Sequence, residues 1–262
     1  MCQVPGLMAR MPPAPRSSDA RAASRGRQRS SHSLEAILET AITLLDESGE
    51  AALTFRELAA RLGGGVGSIY WYVAGKDELL DRATDAVMGE VLAACEPHTQ
   101  EPDPVESLRA MSLLLFGAMI EHPWLSNYLL RNVDLQPQAI RLYERFGQQL
   151  QRLDLSSRQR FWALSALLNY VIGAGAQLAP ERGGGGRQPG PDRAEIEVYA
   201  DGWRALDPQE FPFVHEVADI FAQHDDADDF RAGLVMMLSG LRHVVRQRAE
   251  EANGRPAPDD AR

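Results

Sequence analysis

Lys76 is the only lysine in the 262-residue chain, and three consecutive rings, Tyr70, Trp71 and Tyr72, stand just upstream of it. Successive residues leave a helix about 100° apart, so one helix face does not bury three neighbouring rings. Displayed outward, two phenols, an indole and an ammonium offer O–H and N–H donors to phosphate oxygens. Val66, Gly67 and Ser68 come immediately before and are small enough to lead a slim helix into a major groove about 12 Å wide. The chemistry these residues suggest is the gripping of a polyanionic duplex rather than the making or breaking of bonds. The opposing possibility is a three-helix packing unit with no duplex to meet.

Such contacts need elements that hold them at a fixed angle. Thr54-Phe-Arg-Glu57 predicts a helix start: the Thr54 hydroxyl accepts from the amide three residues on, and Glu57 reaches back. Leu58, Ala59 and Leu62 continue a buried side, and Gly63-Gly64-Gly65 ends the helix. A short segment from Val66 to Val73 follows, with Ile69 turned inward as its anchor. Gly75 closes it, and Lys76 opens a longer helix running to about Ala94. A supporting helix precedes all of this. Ser33 suits its N-cap, Leu34, Ile37, Leu38, Ala41, Leu44 and Leu45 share one face, and Gly49 suits the residue after its end. A helix, a glycine turn and a short second helix over residues 54–73 read as a helix-turn-helix.

Three stretches carry a family likeness: Leu53-Thr-Phe-Arg-Glu-Leu-Ala-Ala-Arg-Leu-Gly63, Gly67-Ser-Ile-Tyr-Trp-Tyr-Val73 and Lys76-Asp-Glu-Leu-Leu80. Together they resemble the DNA-binding segment of TetR-family regulators. The family's Thr-x-Arg-x-Leu-Ala-x-x-Leu-Gly, its Leu/Ile-Tyr-aromatic triplet and its downstream lysine all have counterparts here. The resemblance implies that Thr54 caps its helix and touches phosphate, and that Arg56 reaches a base edge or the backbone. It implies that Val66, Gly67 and Ser68 face bases, that Tyr70 and Tyr72 contact phosphates, and that Lys76 clamps the far backbone. One departure matters. Gly64, Gly65, Val66 and Gly67 replace more polar residues, so specificity is expected to lean on Arg56, Ser68, methyl contacts from Val66 and DNA shape.

The net charge of −10 looks wrong for such a task until its distribution is considered. Residues 1–33 hold six arginines, among them Arg25, Arg27 and Arg29, against one acid, Asp19, for a net +5. The remainder is therefore net −15. Residues 1–32 lack a hydrophobic period and are expected to form a disordered basic arm that grips phosphates, or else merely a solvated tail. Met8 and Met11 are alternative starts to Met1. Two cysteines, Cys2 and Cys95, supply no disulfide framework. No apolar run approaches the ~20 residues needed to cross a bilayer, and prolines break up the N-terminus where a signal segment would lie. A cytoplasmic protein is expected.

Residues 33–95 thus read as the helix-turn-helix domain, 103–250 as a larger helical region and 251–262 as a disordered tail. Apolar periods recur at 104–121, 123–131, 136–153, 157–179, 193–206, 211–223 and 227–250. No stretch alternates with period two, so an all-α chain is predicted. Asp103-Pro104-Val105-Glu106 and His122-Pro123-Trp124 read as helix starts. The segment from Phe211 to Val217 and that from Asp229 to Leu241 resemble the C-terminal domain of the tetracycline-repressor subgroup. That likeness implies a homodimer through helices at about 157–179 and 227–248, and a pocket for a bulky, partly apolar small molecule. Trp124, Tyr128, Phe146, Trp162, Tyr170 and Trp203 are candidate lining residues, with Asn169 and Gln177 as polar anchors, although ordinary core packing explains each of them better. No cofactor is implied. His215, Glu216, Asp219 and the acids around His224 could suggest a divalent ion, but acidic residues favoured by a helix N-terminus explain the pattern better than metal ligands do. No nucleophile, paired carboxylates or phosphate loop has fitting spacing, so an enzyme is not expected. The fold and the resemblance together imply a ligand-responsive transcriptional repressor. A ligand-dependent activator, or a helical ligand carrier without DNA affinity, remains open at this point.

Overall fold

The computed structural model describes residues 33–131, 136–178 and 193–254. Every element among them is helical. The first unit comprises α1 (Leu34–Ala52), α2 (Phe55–Leu62), α3 (Val66–Ile69) and α4 (Lys76–Cys95). After a 3-10 turn (Glu96–Gln100) come α5 (Pro104–Glu121), α6 (Pro123–Arg131), α7 (Pro137–Gln151), α8 (Ser157–Leu178), α9 (Arg193–Arg204), α10 (Pro212–Gln223) and α11 (Asp226–Gly254).

Local chemistry explains most boundaries. The Ser33 hydroxyl accepts from the Ala36 amide at 3.1 Å and starts α1. Asp103 accepts from the Val105 amide at 2.9 Å, and Pro104 occupies the first position of α5, where its missing N–H is no loss. Two local expectations need correcting. Gly49 takes φ 71° as foreseen, but it bends α1 from within, because the helix resumes to Ala52. Glu57 does not reach back to Thr54; its carboxylate meets Arg61 Nε at 3.3 Å, which is within easier reach one turn on.

One hydrophobic core runs through both halves. Ile37, Leu44, Leu58 and Ile69 fill its N-terminal part, and Leu108, Met111, Leu115, Phe146 and Phe230 its C-terminal part. Burying each such side chain contributes roughly 1.5–3 kcal/mol. α4 bridges the halves by packing on α1, α5 and α7. α9 and α10 pack mainly against each other. α8 crosses behind α5, α6 and α7, yet it leaves Phe161 and Trp162 each 59% exposed. By length and composition α8 is apolar enough to cross a bilayer, contrary to the sequence expectation that no run is. Its apolar residues are spread around the helix instead of forming one unbroken run.

Candidate nucleic-acid interface

α2 begins where the Thr54 hydroxyl accepts from the Glu57 amide at 3.2 Å. It ends at Gly63, whose left-handed backbone (φ 69°) lets the Gly63 and Gly64 amides fold back onto the last carbonyls of α2. A side chain would strain that conformation, so glycine is required there. The chain then re-enters a single helical turn, α3. Ile69 is fully buried and Val73 nearly so, so α3 is pinned from behind at both ends of the segment. What it shows outward is sparse. Gly67 is exposed, and a Cβ built on it or on Gly65 meets nothing within 4 Å. Val66 is half-buried against the core. The Ser68 hydroxyl donates to the Gly65 carbonyl at 2.7 Å, which leaves only its lone pairs for a base.

The rings divide. Trp71 is 89% exposed and Tyr70 59%, with Tyr70 set edge-on against Phe55 at 4.8 Å. Tyr72 is half-buried and packs on the core, so the expectation that all three rings face outward is corrected for it. The reason is geometric: after Ile69 the chain leaves the helix in a turn that carries Tyr72 back toward the side of Ile69 and Val73.

The cations of this unit are largely committed. Arg61 pairs with Glu47 at 2.6 Å and Glu57 at 3.3 Å, and Arg82 pairs with Glu78 at 2.6 Å. Glu78 also accepts from the Ala74 amide at 2.6 Å; that bond, then Arg82, holds its carboxyl below the usual range and ties the turn to the start of α4. Lys76 Nζ donates to the Glu50 carbonyl at 2.6 Å, leaving two ammonium protons for another acceptor. Arg56 is exposed and makes no ion pair among the described residues. Arg25, Arg27 and Arg29 lie outside the described residues.

The eight residues expected to line a pocket are not brought together. Trp124, Tyr128 and Phe146 are core residues of α6 and α7, while Trp162, Asn169 and Gln177 lie on exposed parts of α8. Tyr170 stacks on Phe230 at 5.4 Å, which itself stacks on Phe116 at 3.7 Å, and the Tyr170 hydroxyl donates to the Phe230 carbonyl at 3.0 Å. Trp203 stacks on Phe221 at 4.3 Å within the α9–α10 pair. Opposite faces of α8 separate the two sets, because residues 162, 169 and 177 leave the helix away from its buried stripe. An apolar crevice of about 280 Å³ does open between α7, α8 and α11, lined by Leu150, Leu155, Trp162, Leu167, Leu238 and Leu241. Of the expected residues it includes Trp162 alone.

The polar residues of α6 have a different job from the one the sequence suggested. Trp124 Nε1 donates to Asp46 Oδ1 at 2.8 Å, and His122 Nδ1 lies 2.9 Å from the same oxygen. Tyr128 donates to Asp81, and Arg131 pairs with Glu50. Burial works against the His122 imidazolium, but Asp46, with Glu121 and Glu90 behind it, outweighs that and raises the pKa above the ordinary 6.5. Sequence reasoning missed Asp46, Glu50 and Asp81. No local pattern could have shown them, because Asp46 and His122 are 76 positions apart. At the start of α11, ligand atoms of His224, Asp226 and Asp229 lie within 4.8 Å of one another, all at least partly exposed. The Asp225 carboxylate there caps the Asp228 amide at 3.0 Å, as expected of acids preceding a helix.

Comparison with known proteins completes the picture. Residues 37–83 match the bacterial regulatory proteins of the tetR family, and residues 96–245 match the tetracyclin repressor-like C-terminal domain. The chain is 29% identical over 234 residues to the HTH-type transcriptional repressor DrrR1 of Streptomyces coeruleorubidus, covering 84% of this chain and 80% of that one. An HTH-type transcriptional regulator of Saccharopolyspora erythraea is 33% identical over 138 residues, a match spanning 53% of this chain and only 57% of that protein's length. Among solved structures, the Streptomyces coelicolor TetR regulator SCO7222 superposes with a TM-score of 0.69 at 37% identity, covering 82% of this chain and 99% of that one. Streptomyces coelicolor ActR, in complex with actinorhodin, superposes at 0.68 with 25% identity over 82% of this chain and 98% of its own. With both of its halves matched in order and a helix-turn-helix built from Thr54 to Val73, the chain belongs to the TetR family of bacterial regulatory proteins.

Proposed function

We propose that the chain is a cytoplasmic, dimeric repressor that leaves its operator when a bulky, partly apolar small molecule binds the larger region. The observation that carries the DNA reading is the outward display of Tyr70, Trp71 and Arg56 around the core-pinned α3. A monomeric packing unit gains nothing from an 89% exposed tryptophan. Arg56, Val66, Gly67 and Ser68 approach the groove, and Thr54, Tyr70, Trp71, Lys76 and the arm arginines 25, 27 and 29 meet the backbone. Tyr72 supports the turn and reaches phosphate only by its hydroxyl.

Dimerisation follows from the task and from the exposed apolar residues of two helices. One α3 reads too few base pairs, and a symmetric pair places two at a half-site spacing. Phe161 and Trp162 on α8, with Val235 and Met236 on α11 at 54% and 74% exposure, form the surface a second copy would cover. Such cover also accounts for the apolar length of α8 without a membrane. The effector reading is supported by ActR, which was solved in complex with actinorhodin, and by DrrR1, a repressor. A gel shift or footprint on the DNA upstream of this chain's own gene, at low salt, tests the proposal. A protected, two-fold symmetric site that Lys76→Ala weakens on every sequence is the expected result. Negligible affinity for any duplex would overturn it and leave a helical carrier instead.

A further inference from the structure

Asp46 precedes and Glu50 follows the break at Gly49 near the end of α1, and the carboxylate of each meets a side chain at one end of α6. α6 holds both. At its N-terminal end, His122 Nδ1 lies 2.9 and 3.1 Å from the two Asp46 oxygens, and Trp124 Nε1 donates to the nearer at 2.8 Å. At its C-terminal end, Arg131 pairs with the Glu50 carboxylate. The groups are not equally wet: the side chains of His122 and Asp46 are 12% and 27% exposed, against 57% and 35% for Arg131 and Glu50. The first contact is therefore a sheltered pivot and the second a wetter, looser tie. Between the two lies Gly49 at φ 71°, a bend about which the last residues of α1 can turn. The carbonyl of Glu50, just beyond that bend, accepts from both the Leu53 amide at 3.2 Å and Lys76 Nζ at 2.6 Å.

We propose that Glu50 is a positioning residue for the DNA contact: its carbonyl places the Lys76 ammonium, and α6 moves that carbonyl through Arg131, with Asp46 as the pivot. This rests on the regulator reading above. A lysine side chain has four rotatable bonds, and pinning its ammonium on a fixed carbonyl removes much of the freedom that phosphate binding would otherwise have to remove. The same carbonyl belongs to a residue whose carboxylate is held by the last residue of α6. α6 packs on α5 and α8 with its other side, so a displacement begun in the larger region reaches Lys76 through two bonds. Glu78 and Arg82 nearby are already paired with each other, and Arg56 lies on α2, so no other described cation of this unit is tied to α6.

A double-mutant cycle on the full chain tests this. The probe is a duplex selected from a randomised library by the wild-type protein, with affinity read by fluorescence anisotropy. Lys76→Ala should weaken binding about tenfold in the wild type but no more than about twofold in an Arg131→Gln background. Arg131→Lys, which keeps the charge, should restore most of the tenfold effect. Asp46→Asn repeats the cycle at the pivot, and Arg131→Gln, being exposed, keeps the test available should Asp46→Asn unfold. Losses that simply multiply in the Arg131→Gln cycle overturn the inference while leaving the regulator reading intact. A wild-type protein that selects no duplex overturns both.

Discussion

Removing residues 1–32 should change how DNA binding responds to salt more than it changes anything else about the protein. Within residues 33–95 the described cations number four, and Arg61 and Arg82 are already paired with carboxylates. That leaves Arg56 and Lys76 for phosphates, which is about four contacts in a dimer and a log–log salt slope of about −3.6. If Arg25, Arg27 and Arg29 of each arm also engage, about ten contacts give a slope near −9. Raising salt from about 50 to 200 mM would then weaken the full chain about 10⁵-fold but the truncated one only about 10²-fold. Anisotropy titrations of a labelled operator duplex across that range measure both slopes directly. An unchanged slope after truncation would show that the arm touches no phosphate. The reasoning from charge distribution would then fail, even if affinity itself had dropped.

Further perturbations test the scaffold and the pivot. Ile69→Ala removes the fully buried anchor of α3 and should cost about 2–5 kcal/mol by urea denaturation, with operator binding lost before the fold. Thr54→Ala deletes the cap on Glu57 N and should cost about 0.5–2 kcal/mol on the same assay. Gly67→Ala adds a methyl group that meets nothing within 4 Å at a helical position, so stability should hold or rise by up to about 1 kcal/mol while operator selectivity shifts; a loss of stability would mean that α3 is packed more closely than it stands here. The His122 pKa is raised in the fold, so its contribution to stability is fully present below about pH 6.5 and is lost as pH rises through the raised value. Thermal unfolding of the wild type should therefore fall between pH 6 and pH 8.5 by more than that of His122→Asn, and parallel pH profiles would refute the imidazolium–Asp46 pairing.

The helices were legible in the sequence because their signals are local. Asp103 and Pro104 mark the start of α5 within two residues, and the strain-free glycine at Gly63 marks the end of α2. The helix-turn-helix was legible for the same reason, since its capping, turn and anchor residues all lie between Thr54 and Val73. The fate of individual aromatics was not. Phe146 and Trp162 look alike in a helical period, yet one is fully buried and the other 59% exposed. Whether a ring serves core, cavity or partner depends on which helix crosses it, and nothing near it in the chain records that. The ties of α6 to α1 and α4 were equally hidden. Nothing local marks Asp46, Glu50 and Asp81 as tether points; the fold alone brings Trp124, Arg131 and Tyr128 onto them.

The bare apolar side chains of α8 and α11 bear on how such a protein lives at low copy number. A lone subunit carrying Phe161, Trp162 and Met236 in water is a sticky species, prone to association with whatever apolar surface it meets. Pairing and folding would then be coupled by mass action, so the stability of each subunit would rise with its own concentration. Halving the protein in a cell would lower the concentration of competent pairs by more than half once it nears the dissociation constant. Occupancy of a regulated site would then fall more steeply than the gene's output does, without any effector being present.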